Sequence, residues 1–143
     1  MIETIINDIN YRLDEDTKTA EVIERKRYEF EGDIIIPETT VFNDVTYRVT
    51  SIGEHAFDCC SSLTTVVIFD GVMSIEKRAF FGCQSLTNIN IPASVTSIGT
   101  EAFYDCSSLT SIVIPDSMTS IEWWAFCRCE SLTDITFQGS IAQ

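Results

Sequence analysis

Ile52, Ile75, Ile98 and Ile121 stand 23 residues apart, and the same step carries a whole set of columns through the second two-thirds of the chain. Ala56-Phe57 returns as Ala79-Phe80, Ala102-Phe103 and Ala125-Phe126; Cys60 returns as Cys83, Cys106 and Cys129; Leu63 returns as Leu86, Leu109 and Leu132. Further columns are Val66, Ile89, Ile112 and Ile135, then Ile68, Ile91, Ile114 and Phe137. The four units run without insertion or deletion. A strict period of this length makes each unit one coil that cannot bury its apolar side alone, so successive coils stack and share one core.

Within a coil, Leu63, Val66 and Ile68 follow L-x-x-L-x-L, and Val66 and Ile68 place alternate side chains on one face of a short strand. That strand is expected to pair in parallel with its copies, about 4.8 Å apart. Over Gly53 to Cys60 the apolar residues fall at 56, 57 and 60, a spacing that suits one or two helical turns facing the core. The expected fold class is therefore an α/β solenoid in which each 23-residue coil is a short parallel strand plus a short helix. The serine columns at 51 and 62 and the threonine column at 64 read as structural, satisfying backbone groups at turns and supporting strand pairing. A catalytic serine needs a neighbouring base, which identical copies in every coil do not supply.

The stretch CSSLTSIVIPDSMTSIEWWAFCRC, Cys106 to Cys129, and its equivalents over about residues 50 to 141 resemble the bacterial leucine-rich repeats of the BspA-like, or Treponema pallidum, type. The resemblance implies a non-enzymatic protein- or glycan-interaction module, used in bacterial adhesion or surface recognition and placed in secreted or cell-surface proteins. Unlike better-known leucine-rich repeats, the chain has Gly71, Ser94, Ser117 and Ser140 where an asparagine ladder would stand.

Upstream of the regular coils, Ile34-x-Ile36-Pro37 aligns with Ile112-x-Ile114-Pro115 as a degenerate coil. Ile36 and Ile52 are 16 residues apart where regular coils use 7, and Asn43-Asp44 between alternating apolar residues reads as a hairpin turn. Asp14 to Lys18, between two short strands, reads as another. The same stretches, YRLDEDTKTAEVI and GDIIIPETTVFNDVTYRVTSIG, resemble the segments that precede the repeats in the family. Residues 1–49 are thus expected to cap the first core layer with hairpins and a degenerate coil, and 50–143 to form four leucine-rich repeats. No comparable cap is expected after Ile141, which leaves the strand Thr133 to Phe137 with an unpaired edge.

Charge narrows the partners. Against 22 Asp and Glu stand 9 Lys and Arg, and the acidic excess extends over both halves. Nucleic acid and anionic membrane need clustered positive charge, so neither is expected as a partner. The basic run Arg25-Lys26-Arg27 is flanked by acids and reads as a solvated turn. No apolar stretch approaches the roughly 18 residues that span a bilayer, and the opening MIETIINDIN lacks the pattern of a signal peptide.

Six cysteines invite a metal or disulfide, yet Cys60, Cys83, Cys106 and Cys129 sit in one apolar column and read as buried thiols. Cys59 and Cys127 lie outside it and read as surface thiols. His55 shares its column with Arg78, Glu101 and Trp124, a tolerant outer position rather than a catalytic one. Asp14-x-Asp16 matches the start of a calcium loop, but position 18 is Lys and the loop glycine is missing. No catalytic, cofactor or metal site is expected.

The variable outer columns carry more information. Phe81, Tyr104, Trp123 and Trp124 place aromatics where other coils carry charged or polar residues, and form a candidate interaction patch. The tryptophans alternatively fold over the open carboxyl-terminal end. Two tryptophans beside an uncapped strand predict a homodimer through that end. The alternative to an interaction module is a structural spacer, or a fragment of a longer repeat protein whose binding surface lies in other repeats.

Overall fold

The computed structural model describes residues 1–24 and 30–139, so the Arg25-Lys26-Arg27 turn and Ser140 lie outside the described residues. Three strands open the chain: β1 (Ile2–Ile6), β2 (Ile9–Asp14) and β3 (Thr19–Val22). Then come β4 (Glu31–Ile36), β5 (Thr39–Phe42), β6 (Val45–Ile52) and β7 (Ser62–Ile68). Short strands complete the coils: β8 (Ser74–Ile75), β9 (Asn88–Ile89), β10 (Ser97–Ile98), β11 (Ser111–Ile114), β12 (Ser120–Ile121) and β13 (Asp134–Phe137).

The repeated Ser-Ile pair builds one parallel ladder, with Ser51 and Ile52 of β6 against β8, β8 against β10, and β10 against β12. The second ladder uses the Val66 and Ile68 columns: β4 pairs with β7, β7 with β9, and β11 with β13. Ile34 pairs with Val66 and Ile36 with Ile68, so β4 is a coil strand in register with the regular units.

At the amino-terminal end, Asn43-Asp44 joins β5 to β6 and Asp14 to Lys18 separates β2 from β3. A further hairpin at Asn7-Asp8 joins β1 to β2. Both Asn-Asp pairs hold left-handed φ at both residues, the requirement of a two-residue turn matched to strand twist. Asp14 accepts hydrogen bonds from the Asp16 and Thr17 amides, so the calcium-like Asp14-x-Asp16 is an Asx turn. β3 pairs in parallel with β6, with Val22 against Ile52, and thereby supplies the strand that a preceding coil would have provided. Tyr11 and Thr40 are both buried and hydrogen-bonded to each other, tying the first hairpins to β5. Burial pushes the Tyr11 phenol up to about 12.

The expected helix is not there: among the described residues all regular structure is strand. Gly53 to Cys60 is a run of tight turns whose amides divide two ways. Ala56, Asp58 and Cys60 donate to the carbonyls three residues back, Gly53, His55 and Phe57. His55, Phe57 and Cys59 donate across to Lys77, Ala79 and Phe81 of the next coil. The following coil repeats the pattern, with Phe80 donating to Ala102 at 2.7 Å. Left-handed φ at His55 and Cys59 turns alternate amides toward the neighbouring coil, which an α-helix with i to i−4 bonds cannot do. The turn run is thus a third inter-coil ladder. It buries Ala56 and Phe57 as a helix would, which is why the apolar spacing suits both.

The core is one continuous column stack. Phe30, Phe57, Phe80, Phe103 and Phe126 follow one another at centroid separations of 5.0, 5.2, 5.3 and 5.3 Å. The asparagine ladder is replaced by serines: Ser94 accepts from the Gly71 amide and donates to the Val72 carbonyl, and Ser117 donates to Val95. Asn90 adds a two-way bond to the backbone N–H and C=O of Ile68, one coil earlier.

Candidate functional site

The turn run that joins the coils also sets out the variable side chains. His55, Arg78, Glu101 and Trp124 share a left-handed φ between 56° and 59°, so this column turns outward in every coil. Three residues later comes the column of Asp58, Phe81, Tyr104 and Cys127, and in the first two coils the side chains of the two columns pair. In the first coil His55 Nδ1 lies 2.6 Å from an Asp58 carboxylate oxygen. In the second, the Arg78 guanidinium sits 3.8 Å from the Phe81 ring centroid, and its Nε is 3.7 Å from Glu101. Phe81 stacks on Tyr104 at 4.9 Å with ring planes 4° apart. Arg128 of the last coil hydrogen-bonds the Tyr104 hydroxyl, which holds its guanidinium further up. The result is an aromatic pair flanked by a cation on each side. Only three basic residues follow Ser51, and two of them, Arg78 and Arg128, are here.

Of the four aromatic residues expected to form a patch, Phe81 and Tyr104 are brought into contact and are half-buried. Trp123 and Trp124 are 77% and 62% exposed, and among the described residues no ring contact joins them to that stack. Sequence reasoning left out Arg78 and Arg128. The signal was available, since Arg78 precedes Phe81 by three residues and Arg128 follows Tyr104 by one coil and one residue.

The cysteines divide by column. Cys60, Cys83 and Cys106 are buried, whereas Cys129 of the last coil is only partly so. The Cys83, Cys106 and Cys129 thiols donate to the carbonyls of Phe57, Phe80 and Phe103 in the coil before, so the column also serves backbone groups. Burial pushes the Cys83 thiol well up, and the neighbouring Cys129 thiol together with burial raises Cys106. Cys59 and Cys127 are exposed. Cys59 donates to Asp58, and that carboxylate raises its pKa, so the His55, Asp58 and Cys59 group disfavours the thiolate that a nucleophile needs. Among the described residues no three His, Cys, Asp or Glu side chains group as metal ligands.

At the carboxyl-terminal end the core columns come to the surface. Ile98, Ile112 and Ile114 are at most 2% exposed, while their equivalents one coil on, Ile121, Ile135 and Phe137, are 40%, 48% and 70% exposed. An open cleft of about 470 Å³ at this end is lined by Met118, Ile121 and Phe137 with Asp116 and Gln138 beside them.

Comparison with known proteins agrees with this architecture. A leucine-rich repeat protein from Bacteroides capillosus is 25% identical with a TM-score of 0.83, the match covering 96% of this chain and 99% of that one. A leucine rich cell surface protein from Faecalibacterium prausnitzii is 26% identical with a TM-score of 0.72, over 96% of this chain and 43% of that one. A leucine-rich repeat protein from Bacteroides ovatus is 29% identical with a TM-score of 0.65, over 93% of this chain and 40% of that one. The chain thus spans nearly all of the first and less than half of the other two. No curated protein sequence matches. A family model described as a BspA type leucine rich repeat region, in six copies, matches residues 27–143. The chain therefore belongs to the BspA-type leucine-rich repeat family.

Proposed function

We propose that the protein is a non-enzymatic interaction module that contacts a protein or glycan partner at a bacterial surface through the outer face of its turn run. The observation that carries this reading is the cation-flanked pair Phe81 and Tyr104 on a scaffold whose core columns scarcely vary. Flat aromatic faces and guanidinium groups are the side chains that dominate interface energetics, and they suit both sugar rings and acidic peptide segments. The Faecalibacterium prausnitzii relative is described as a cell surface protein, which supports the location.

The test is binding to arrays of surface glycans and extracellular proteins, with wild type compared to Arg78→Ala/Tyr104→Ser after equal folding is verified by circular dichroism. Binding that the variant loses supports the reading. Binding that the variant keeps, or none by the wild type, overturns it. The uncovered last layer favours a second reading, in which this unit is a spacer in, or part of, a longer repeat protein. Unaltered array binding of nothing, with stable association to additional coils supplied as a separate polypeptide, supports that alternative.

A further inference from the structure

We propose that the layer formed by residues 120 to 137 is the interface of a two-fold symmetric dimer, in which β13 pairs antiparallel with β13 of a second copy about an axis through Thr136. This inference stands apart from the identity of any outside partner.

Among the described residues nothing covers this layer of the core. The core-column residues Ile121, Ile135 and Phe137 are at least 40% exposed, and Trp123 and Trp124 on the turn run of the same coil are 77% and 62% exposed. With large aromatic side chains of roughly 150–250 Å² each, these five offer on the order of 600 Å² of apolar area. The strand edge with half-buried Phe126 and Leu132 brings the layer near the roughly 800 Å² per partner of a standard interface.

Hydrogen bonding selects the register. In a parallel ladder, alternate residues turn their N–H and C=O toward one neighbour. Asp134 and Gln138 donate to Thr110 and Ile114 on the β11 side, so the backbone groups of Ile135 and Phe137 face the open side of β13. Antiparallel pairing about Thr136 sets Ile135 opposite Phe137 of the second copy, and the reverse. All four pairs of open backbone groups are then used, and both apolar side chains stay on the core face. A slip of one residue would pair open groups with committed ones and turn the apolar side chains outward. Pairing about Ile135 would instead oppose Phe137 to Thr133, whose amide already donates to Thr110. In the Thr136 register Asp134 faces Gln138, so no like charges oppose each other on β13.

The amino-terminal end does not offer the same complement. There β1 and β2 extend one sheet two strands beyond β3, while β4 ends the other ladder. Because β3 itself lies one strand beyond β6, which is level with β4, head-to-tail stacking on this end is stepped by about 14 Å, three strand spacings. The second copy's own carboxyl-terminal layer carries no such step.

The test uses the full chain with Cys59→Ser, Cys127→Ser and Cys129→Ser, to which Thr136→Cys or Asp134→Cys is added. Antiparallel pairing about Thr136 makes it a non-hydrogen-bonded pair with itself, at a Cα separation of about 4.5 Å, within disulfide range. Two thiols then lose two electrons and two protons to oxidised glutathione, which is reduced to two glutathione thiols. The expected results are a light-scattering mass of twice 16.1 kDa at roughly 50 μM and a single copy for Phe137→Glu. Thr136→Cys is expected to give a covalent dimer, and Asp134→Cys, whose copies lie about four residues apart along the strands, none. A monomeric wild type, a dimer that Phe137→Glu leaves intact, or equal cross-linking at 134 and 136 overturns the proposal. So does a dimer in which Thr136→Cys stays reduced.

Discussion

Phe80→Ala removes the middle ring of the core stack, and Phe126→Ala removes its last. Phe80 is fully buried between Phe57 and Phe103, at 5.2 and 5.3 Å. Truncating a buried Phe costs about 3–5 kcal/mol through lost transfer energy and the cavity left behind. Two ring partners place Phe80 at about 4 kcal/mol or above, because each aromatic pair adds roughly 0.5–1.5 kcal/mol beyond burial. Among the described residues Phe126 has one ring partner, Phe103, and it is partly exposed. Half the contacts and an open side place it at about 2 kcal/mol. Urea unfolding followed by circular dichroism reads the difference. With a denaturant slope of roughly 2 kcal/mol per M, the midpoint falls by roughly 2 M for Phe80→Ala and roughly 1 M for Phe126→Ala. The comparison is made below micromolar protein, so that self-association does not cover Phe126. Equal losses for the two variants would refute the reasoning, since they would mean that the last layer is as well packed as the middle one.

Three further outcomes follow from single contacts or from the amino-terminal strands. Asp58→Asn removes the carboxylate that raises the Cys59 pKa, so the thiolate fraction increases and alkylation of Cys59 at neutral pH accelerates; an unchanged rate refutes the pairing, and Cys60, Cys83 and Cys106 should stay unlabelled throughout. Ser94→Ala leaves the Gly71 amide and the Val72 carbonyl without their partner and should cost about 1–2 kcal/mol in urea unfolding, more than Ser117→Ala, for which one bond is lost. Deleting residues 1–49 uncovers Ile52, Phe57 and Leu63 and should lower the melting temperature or cause aggregation, whereas an unchanged melt would make the amino-terminal strands an appendage.

The columns could be read from sequence because a stacked coil repeats its environment, so Ile52, Phe57, Cys60 and Leu63 recur wherever the core recurs. The turn at Asn43-Asp44 was readable from its dipeptide, and Asn7-Asp8 carries the same signal between IETII and INYRL. The helix was the misreading. Apolar residues at 56, 57 and 60 meet the core in either conformation, and the distinction lies in where the backbone amides point. Left-handed φ was hidden at position 55, where the column is His, Arg, Glu and Trp with no glycine or asparagine. At position 59 Gly82 and Asp105 give a weak hint of it. The aromatic pair was visible as two variable positions, but its flanking arginines require coils laid in register. That placement also explains why the serine column could be named before its bonds to Gly71, Val72 and Val95 were known.

That the turn run is an inter-coil ladder rather than a helix is tested most directly by amide hydrogen exchange on the Phe137→Glu protein. The amides of Phe57, Phe80 and Phe103 each donate to the next coil at 2.7 Å, to Ala79, Ala102 and Ala125. The account predicts that these three exchange slowly, like the flanking strands, while the Phe126 amide, one coil further on, exchanges orders of magnitude faster. Equal protection at Phe103 and Phe126, with a helical circular dichroism spectrum, would contradict it.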